Sequence, residues 1–409
     1  MNIFHKNTAL YTILLMFFLD IMSIGLAYPI FSSMIYSTSS HILPPEASQA
    51  VRGLWLGILL ALVPIGQFFS APILGAYSDR LGRRRLMILS TALSVFGYTT
   101  ALMGVWHESI ILLALSRIII GIATGNQAIG SAVITDISSP EEKAKNFGLL
   151  HMAGGLGFTV GPLLGGKLST IHLGILSGYA VPFACAGALT MINLLLIIFL
   201  FRETHRVSTQ ERGIISFGLR NITRAWQIPG FALFFLAIFM YTFGWSFYWD
   251  FIPVYWITNY KFDAAGVYNM YALGALSYAL SSGLLIRPLV SKFKAETVFL
   301  YALFGCALST GLPLLFSSPC MYLMYIPLQQ FFIALTFPVT ATIISNKSSS
   351  QSQGEMMGIL ESVQSLSGII SPLSAGILLG LTVKMPLIVG TGALLFAAYI
   401  LYCSLRKTN

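Results

Sequence analysis

The amino-acid sequence predicts an all-α polytopic membrane protein, with twelve transmembrane helices in two six-helix, pseudo-symmetric bundles. Three observations carry that expectation. Of 409 residues, 56% are hydrophobic and only 9% are charged, at a mean hydropathy of +0.80, a balance that no water-soluble core could conceal. The apolar residues gather in about a dozen runs of roughly 20, the length at which a helix crosses a bilayer. The longest hydrophilic stretch, from Arg202 to Pro229, divides those runs six and six.

In order, the first span (9–34) carries Asp20 in its middle and has no small-residue cleavage site, so it is expected to stay in the membrane as a span, not to leave as a signal peptide. Spans two to six follow at 53–77, 86–105, 109–134, 147–170 and 179–201. The second half repeats the plan at 230–256, 266–290, 296–316, 320–345, 356–380 and 385–405. Period-two alternation with regular turn signals is absent, which argues against an outer-membrane barrel and for helices that satisfy their own backbone in lipid. The expected domains are therefore 1–201, a cytoplasmic linker 202–229, and 230–409.

The formal net charge of +9 would suit a nucleic-acid partner, but the positions of the cations reject one. Lys6, Arg80, Arg83, Arg84, Arg85, Lys143, Lys145, Arg202, Arg206, Arg212, Arg220, Arg224, Arg287, Lys292, Lys294, Lys347, Arg406 and Lys407 fall on one side of these spans. The other side keeps Arg52, Lys167, Lys261 and Lys384, and Arg117 lies within a span. The positive-inside rule then makes both termini cytoplasmic. Cys185, Cys306, Cys320 and Cys403 show no CxxC spacing, which argues against metal and disulfide roles.

An internal repeat accompanies the six-and-six division. FGLLHMAGGLGFTVGPLLGG (147–166) lies without a gap over MGILESVQSLSGIISPLSAG (357–376), a shift of 210 residues. Gly148, Leu150, Leu156, Pro162, Leu163 and Gly166 meet Gly358, Leu360, Leu366, Pro372, Leu373 and Gly376. Gly154, Gly157, Gly161 and Gly165 recur at steps of three and four, one side-chain-free stripe, and Gln364, Ser367, Ser371 and Ala375 occupy the same positions in the second half. Small residues let helices approach closely in lipid, where association depends on packing. Ordinary tight packing explains each glycine singly; repetition in both halves suits the parallel repeats of a transporter with a midplane site.

Between the second and third spans stands GAYSDRLGRRRLM (75–87), five charges in a chain that has few. It resembles the signature loop of the major facilitator superfamily, of the form GxLaDrxGrrxxl. SRIIIGIATG, with Arg117, Gly121 and Gly125, is similar to that family's fourth-helix motif, and GFTVGPLLGG to its fifth-helix antiporter motif. LDIMSIGLAYPIF (19–31) and FRET (201–204) resemble the twelve-span, proton-coupled drug antiporters of the tetracycline-efflux kind. The resemblance implies a conformational latch: Asp79, directly after the second span, would face the start of the eleventh helix near Gly354 to Gly358, where exposed N–H groups and the helix dipole favour an anion. Gly75, Arg80, Gly82, Arg83 and Asp136 complete this set. The equivalent loop of the second half, RPLVSKFKAE (287–296), has Ser291 where Asp79 sits. The resemblance also implies further membrane acids in the third and ninth helices, and the third span here and the ninth after Glu296 have none.

Charges inside spans are the strongest functional signal, because an ionisable group in the bilayer is costly unless it works. Asp20, Arg117, Asp250 and Glu361 are the candidates for proton coupling; a carboxyl removed from water favours its neutral form and can gain and lose a proton. Asp20 lies about midway along its span, and a neighbouring cation such as Arg117 could promote proton release. His151 and Glu361 share a position in the 210-residue register, as helix-end residues or as a cytoplasmic proton exit. Trp245, Tyr248 and Trp249 precede Asp250, either as an interfacial aromatic belt or as aromatic faces for an organic cation or ring system. Asn126, Gln127, Gln329, Gln330 and Gln364 line a cavity or hold helices together.

The expected activity is secondary active transport of a small organic molecule across a bacterial-type inner membrane, as efflux by proton antiport with alternating access. A proton-coupled importer or exporter of a metabolite or siderophore-like chelator is the alternative, and a transporter-like sensor a third reading. No nucleophile elbow or phosphate loop supports an enzyme, so no cofactor is expected and a proton gradient supplies the energy. The partners are then substrate, protons and the lipid bilayer, with the protein as a monomer.

Overall fold

The computed structural model describes residues 3–36, 40–173, 176–204, 223, 225–228, 231–284, 289, 292–315, 318–347 and 353–408. In the first half the helices are α1 (Ile3–Ala27), α2 (Ile30–Tyr36), α3 (Gln49–Leu81), α4 (Arg83–Trp106), α5 (Ile110–Thr124), α6 (Asn126–Ile137), α7 (Pro140–Ser169) and α8 (Ala180–Leu200). The second half has α9 (Ala232–Trp249), α10 (Ile252–Tyr260), α11 (Ala264–Leu284), α12 (Ala295–Leu315), α13 (Tyr322–Lys347), α14 (Gln353–Leu378) and α15 (Met385–Thr408). A two-residue antiparallel ladder pairs His172–Leu173 with Leu176–Ser177 in the turn before α8. Most of the expected linker, including 205–222, and Ser291 lie outside the described residues.

Among the described residues, ten helical segments are long and apolar enough to cross a membrane. The other two spans of the pattern are α11 and α14, of 21 and 26 residues. Their hydropathy is diluted by Asn269 and Ser277 in one, and by Glu361, Gln364 and a series of serines in the other. Among the described residues, three spans are each two helices with a break. α1 stops before Pro29, which has no N–H to continue the ladder. α5 and α6 meet at Gly125, and α9 and α10 at Asp250 and Phe251, with Pro253 in the first turn of α10. Interrupted helices of this kind place side chains and backbone groups at membrane depth.

Local sequence explains two of the helix starts. Ser139 and Glu142 form a capping box at α7, with Pro140 in its first turn. Ser109 accepts from the Leu112 N–H at α5.

The contacts divide the chain into two compact units: Met1–Met34, Thr38–Pro44 and Leu62–Phe217 in one, and Ile35–Ser37, Pro45–Ala61 and Gly218–Asn409 in the other. The boundary falls inside α3, whose first part is grouped with the second unit. There α3 meets α14 backbone to backbone: a Cβ on Gly53 would lie 2.6 Å from the Gly376 carbonyl oxygen.

Within the first unit α1 packs on α6, α7 and α8, and α4 on α5 and α8. Within the second, α9 packs on α14 and α15, and α12 on α13 and α15. In span order, the contacts one–five, one–six, three–four and three–six recur as seven–eleven, seven–twelve, nine–ten and nine–twelve, so the repeat extends to packing. Large apolar side chains also cover the outside: Phe199 is 77% exposed and Met324 72%, a surface that lipid accommodates and water does not.

Candidate ion-coupling and substrate sites

In the first unit the break at Gly125 starts α6 with Asn126, whose amide reaches Asp20 on α1. Asn126 Nδ2 donates to Asp20 Oδ2 at 2.9 Å. Asn193 Nδ2, from the middle of α8, donates to Asp20 Oδ1 at 2.7 Å and lies 3.3 Å from the Met16 carbonyl. Asp20 thus joins three helices through the interior of the bundle. Arg117 on α5 is 1% exposed, with its guanidinium carbon 4.7 Å from the centre of the Phe31 ring, a cation–π contact strengthened by the loss of water. Tyr98 on α4 interacts electrostatically with both Arg117 and Asp20. Gln67 Nε2 donates to Gln127 Oε1 at 3.1 Å, joining α3 to α6.

The glycine stripe of α7 lies along α1. A Cβ on Gly157 would lie 2.5 Å from the Phe18 carbonyl oxygen, and one on Gly161 2.6 Å from that of Met22. Gly165 stands equally close to the Leu26 carbonyl, Gly154 lies against the Phe17 ring at 2.9 Å by the same measure, and the Pro162 ring fills the space beside Gly25. In the second unit the residues of equal register, Ser367 and Ser371, donate to the carbonyls of Phe239 and Phe243 on α9 at 3.3 and 3.0 Å. The same helix pair is held at van der Waals distance in one unit and by hydroxyls in the other.

In the second unit Asp250 sits at the α9–α10 break, 6% exposed, and accepts from Ser246 Oγ at 2.6 Å. Trp245 stacks on Trp249 at 5.2 Å, and the Trp249 ring meets Tyr271 edge-on at 4.9 Å. Gly274 on α11 leaves the space into which the Trp249 ring fits. Tyr248 donates to the Tyr325 hydroxyl, and Gln329 to Thr310 at 2.8 Å. Gln329 and Gln330 are buried, and Gln329 Oε1, Gln330 Nε2 and Gln364 Nε2 have no hydrogen-bond partner among the described residues. Glu361 is exposed on α14, and the side chain of His151 lies outside the described residues. Among the described residues no group of three or more His, Cys, Asp or Glu could hold a metal ion.

The loop after α3 is organised by Arg83, which is 4% exposed. It pairs with Asp79 at 2.6 Å and with Asp136 at 2.9 Å, so the fork bridges α3 and α6. Glu203, just after α8, accepts from the backbone N–H groups of Arg83 and Arg84 at 3.0 and 3.1 Å. It caps α4, where Gly82 has no side chain to do so and adopts φ +93°. Arg80 lies in the last turn of α3. Gly75 has only ordinary contact with Ala128, so sterics do not require glycine there.

Sequence reasoning passed over Asn193, Gln67 and Glu203. A lone amide in the run LTMINLLLI was the available signal for Asn193, and Glu203 lay within FRET, noted for its resemblance alone.

The family model described as Major Facilitator Superfamily matches residues 13–326 and 234–409. The chain belongs to the major facilitator superfamily. This facilitator is 31% identical to the tetracycline resistance protein, class D, of Salmonella ordonez, over 87% of its own length and 85% of the relative's. It is 26% identical to multidrug resistance protein 2 of Bacillus subtilis (strain 168), over 100% and 96% of the two chains. A crystal structure of a D-xylose–proton symporter matches with a TM-score of 0.77 at 14% identity, covering 96% of this facilitator and 97% of that chain. The facilitator is a multi-pass membrane transporter of small molecules and not an enzyme.

Proposed function

We propose that the protein exports a small organic molecule from the cytoplasm in exchange for protons, by alternating access in the inner membrane. The observation that carries this reading is Asp20, a carboxylate inside the first unit with each oxygen on a side-chain amide. Such a group can exchange a proton without leaving the bundle, and its charge changes the hydrogen bonding of three helices at once. Similarity to a tetracycline resistance protein and a multidrug resistance protein supports efflux and gives tetracycline as the first compound to try. The missing acids of the third and ninth spans favour a different recognition chemistry, and the Trp245, Trp249 and Asp250 group suits a planar ring or an organic cation.

The finer assignments belong to the same proposal. Asp250, Arg117 and Glu361 assist coupling; Asn126, Gln127, Tyr248, Gln329, Gln330 and Gln364 join the two tryptophans in the substrate cavity. Asp79, held by Arg83, is the conformational latch on the cytoplasmic side. The protein acts as a monomer with both termini cytoplasmic, as domains 1–201 and 230–409 joined by 202–229, with the proton gradient as its energy source.

The test is an everted membrane vesicle with an imposed pH gradient, challenged with tetracycline and then with ethidium. Substrate should collapse the gradient; Asp20→Asn should abolish the response, and Asp79→Asn should slow it while leaving substrate binding intact. Export that continues at full rate in Asp20→Asn, or in vesicles without a gradient, overturns proton antiport; an unaltered rate in Asp79→Asn removes the latch.

A further inference from the structure

We propose that Asn193 senses the protonation state of Asp20, by an amide orientation that suits the carboxylate and must reverse when the carboxyl takes up a proton. Two amide groups approach Asp20 and both present donors: Asn193 Nδ2 to Oδ1 at 2.7 Å and Asn126 Nδ2 to Oδ2 at 2.9 Å. Each oxygen therefore accepts, which an ionised carboxylate does and a neutral carboxyl, with one O–H to donate, does not. A second acceptor favours the same orientation of Asn193. Its Nδ2 also lies 3.3 Å from the Met16 carbonyl, an atom that can only accept. Asn193 is 0% exposed, and its Oδ1 has no hydrogen-bond partner among the described residues. A buried acceptor left empty is costly, and it is the group a neutral Asp20 requires.

When a proton binds Oδ1 of Asp20, the new O–H points at an N–H₂ group. Rotating the Asn193 amide by half a turn brings Oδ1 to the carboxyl, which then donates to it; no covalent bond other than the new O–H changes. The N–H₂ group leaves the Met16 carbonyl in the same movement. Protonation thus replaces two α1–α8 hydrogen bonds donated by Asn193 with one donated by Asp20, and Asn193 acts as a positioning residue between these helices.

Among the described residues the other titratable or charged groups around α1 are few. Tyr98 on α4 and Arg117 on α5 act electrostatically with each other, Tyr98 also with Asp20 and Arg117 also with Tyr28. α6 carries Asp136, already paired with Arg83; α8 carries Cys185. On α7 Glu142 caps the first turn with Ser139 and Lys167 stands in the last turn, and the side chains of Glu141, Lys143, Lys145 and His151 lie outside the described residues.

This inference deepens the antiport reading and rests on it only for its meaning in transport. The test is an infrared pH titration of the full chain in liposomes, without substrate, following the carboxyl C=O band that Asp20→Asn removes. Asn193→Leu, close in size but without donors, should move the midpoint of that band about one pH unit to the alkaline side, a tenfold change in proton concentration. Wild type should also show an amide C=O band that shifts with the same midpoint and is absent in Asn193→Leu. Asn193→Ser, whose hydroxyl can donate or accept, supplies an intermediate midpoint and serves if the leucine variant does not fold. An unmoved midpoint in a folded variant, or no amide band tracking the carboxyl, overturns the proposal. A shifted midpoint with no proton exchange in vesicles leaves it standing and sinks antiport instead.

Discussion

A backbone N–H at the start of a helix has no carbonyl of its own helix to meet, and α4 solves this with a residue from far along the chain. Glu203 receives the N–H groups of Arg83 and Arg84, and the glycine before them is needed twice over. Gly82 has φ +93°, and a Cβ there would lie 2.5 Å from Glu203 Oε2. Gly82→Ala should therefore destabilise the protein by about 1–3 kcal/mol through backbone strain, and Glu203→Ala by about 0.5–2 kcal/mol through loss of the cap, both read as a lower melting temperature in detergent. No change in either variant would exclude the cap. Little of this was legible beforehand. An acid just beyond a span reads as a wetted loop residue, and a cap supplied from so distant a position leaves no local spacing to find. Asp20 was legible because a charge in an apolar run is conspicuous; Asn193 was not, because a neutral amide in a span serves equally well as interhelical glue.

The pairing of α1 with α7, and of α9 with α14, is one contact built in two chemistries. Glycines allow backbone approach in the first unit, whereas serine hydroxyls reach carbonyls in the second. Substitutions should therefore differ between the halves. Gly157→Leu must force α7 away from the Phe18 carbonyl, and overpacking of this kind costs about 1–3 kcal/mol or more. Ser367→Ala loses one hydrogen bond, about 0.5–1.5 kcal/mol. Thermal melting of the purified variants should rank them in that order, and an equal effect would mean that the two stripes do not play matching parts. The 210-residue register was readable because both stripes are small. That one of them uses hydroxyls as bonds and the other bare backbone as a surface depends on interhelical distance, which no single span encodes.

For the molecule as a whole, orientation in the bilayer is the property that sequence constrains and that labelling can check. Bilayer thickness and backbone satisfaction fix span length and helix type, so the fold class followed from composition; the break at Pro29 has a local cause, while those at Gly125 and Asp250 depend on neighbours and were left out. The proposed cytoplasmic termini would put Cys320, exposed between the ninth and tenth spans, on the face of the membrane away from the cytoplasm. A membrane-impermeant maleimide should label it in intact cells and fail on Cys320→Ser, while buried Cys306 stays unmodified throughout. Labelling of Cys320 in everted vesicles but not in cells would invert the topology and with it the direction assigned to export.

The cap on α4 also sets an order of biosynthesis. Glu203 stands 120 residues after Arg83, so at roughly 5–20 residues per second the ribosome needs on the order of 10 s to supply it. For that interval the third span waits in the membrane with its first amides open to water or lipid head groups. A nascent chain stalled before the sixth span emerges would hold its signature loop unfinished, with the start of α4 uncapped.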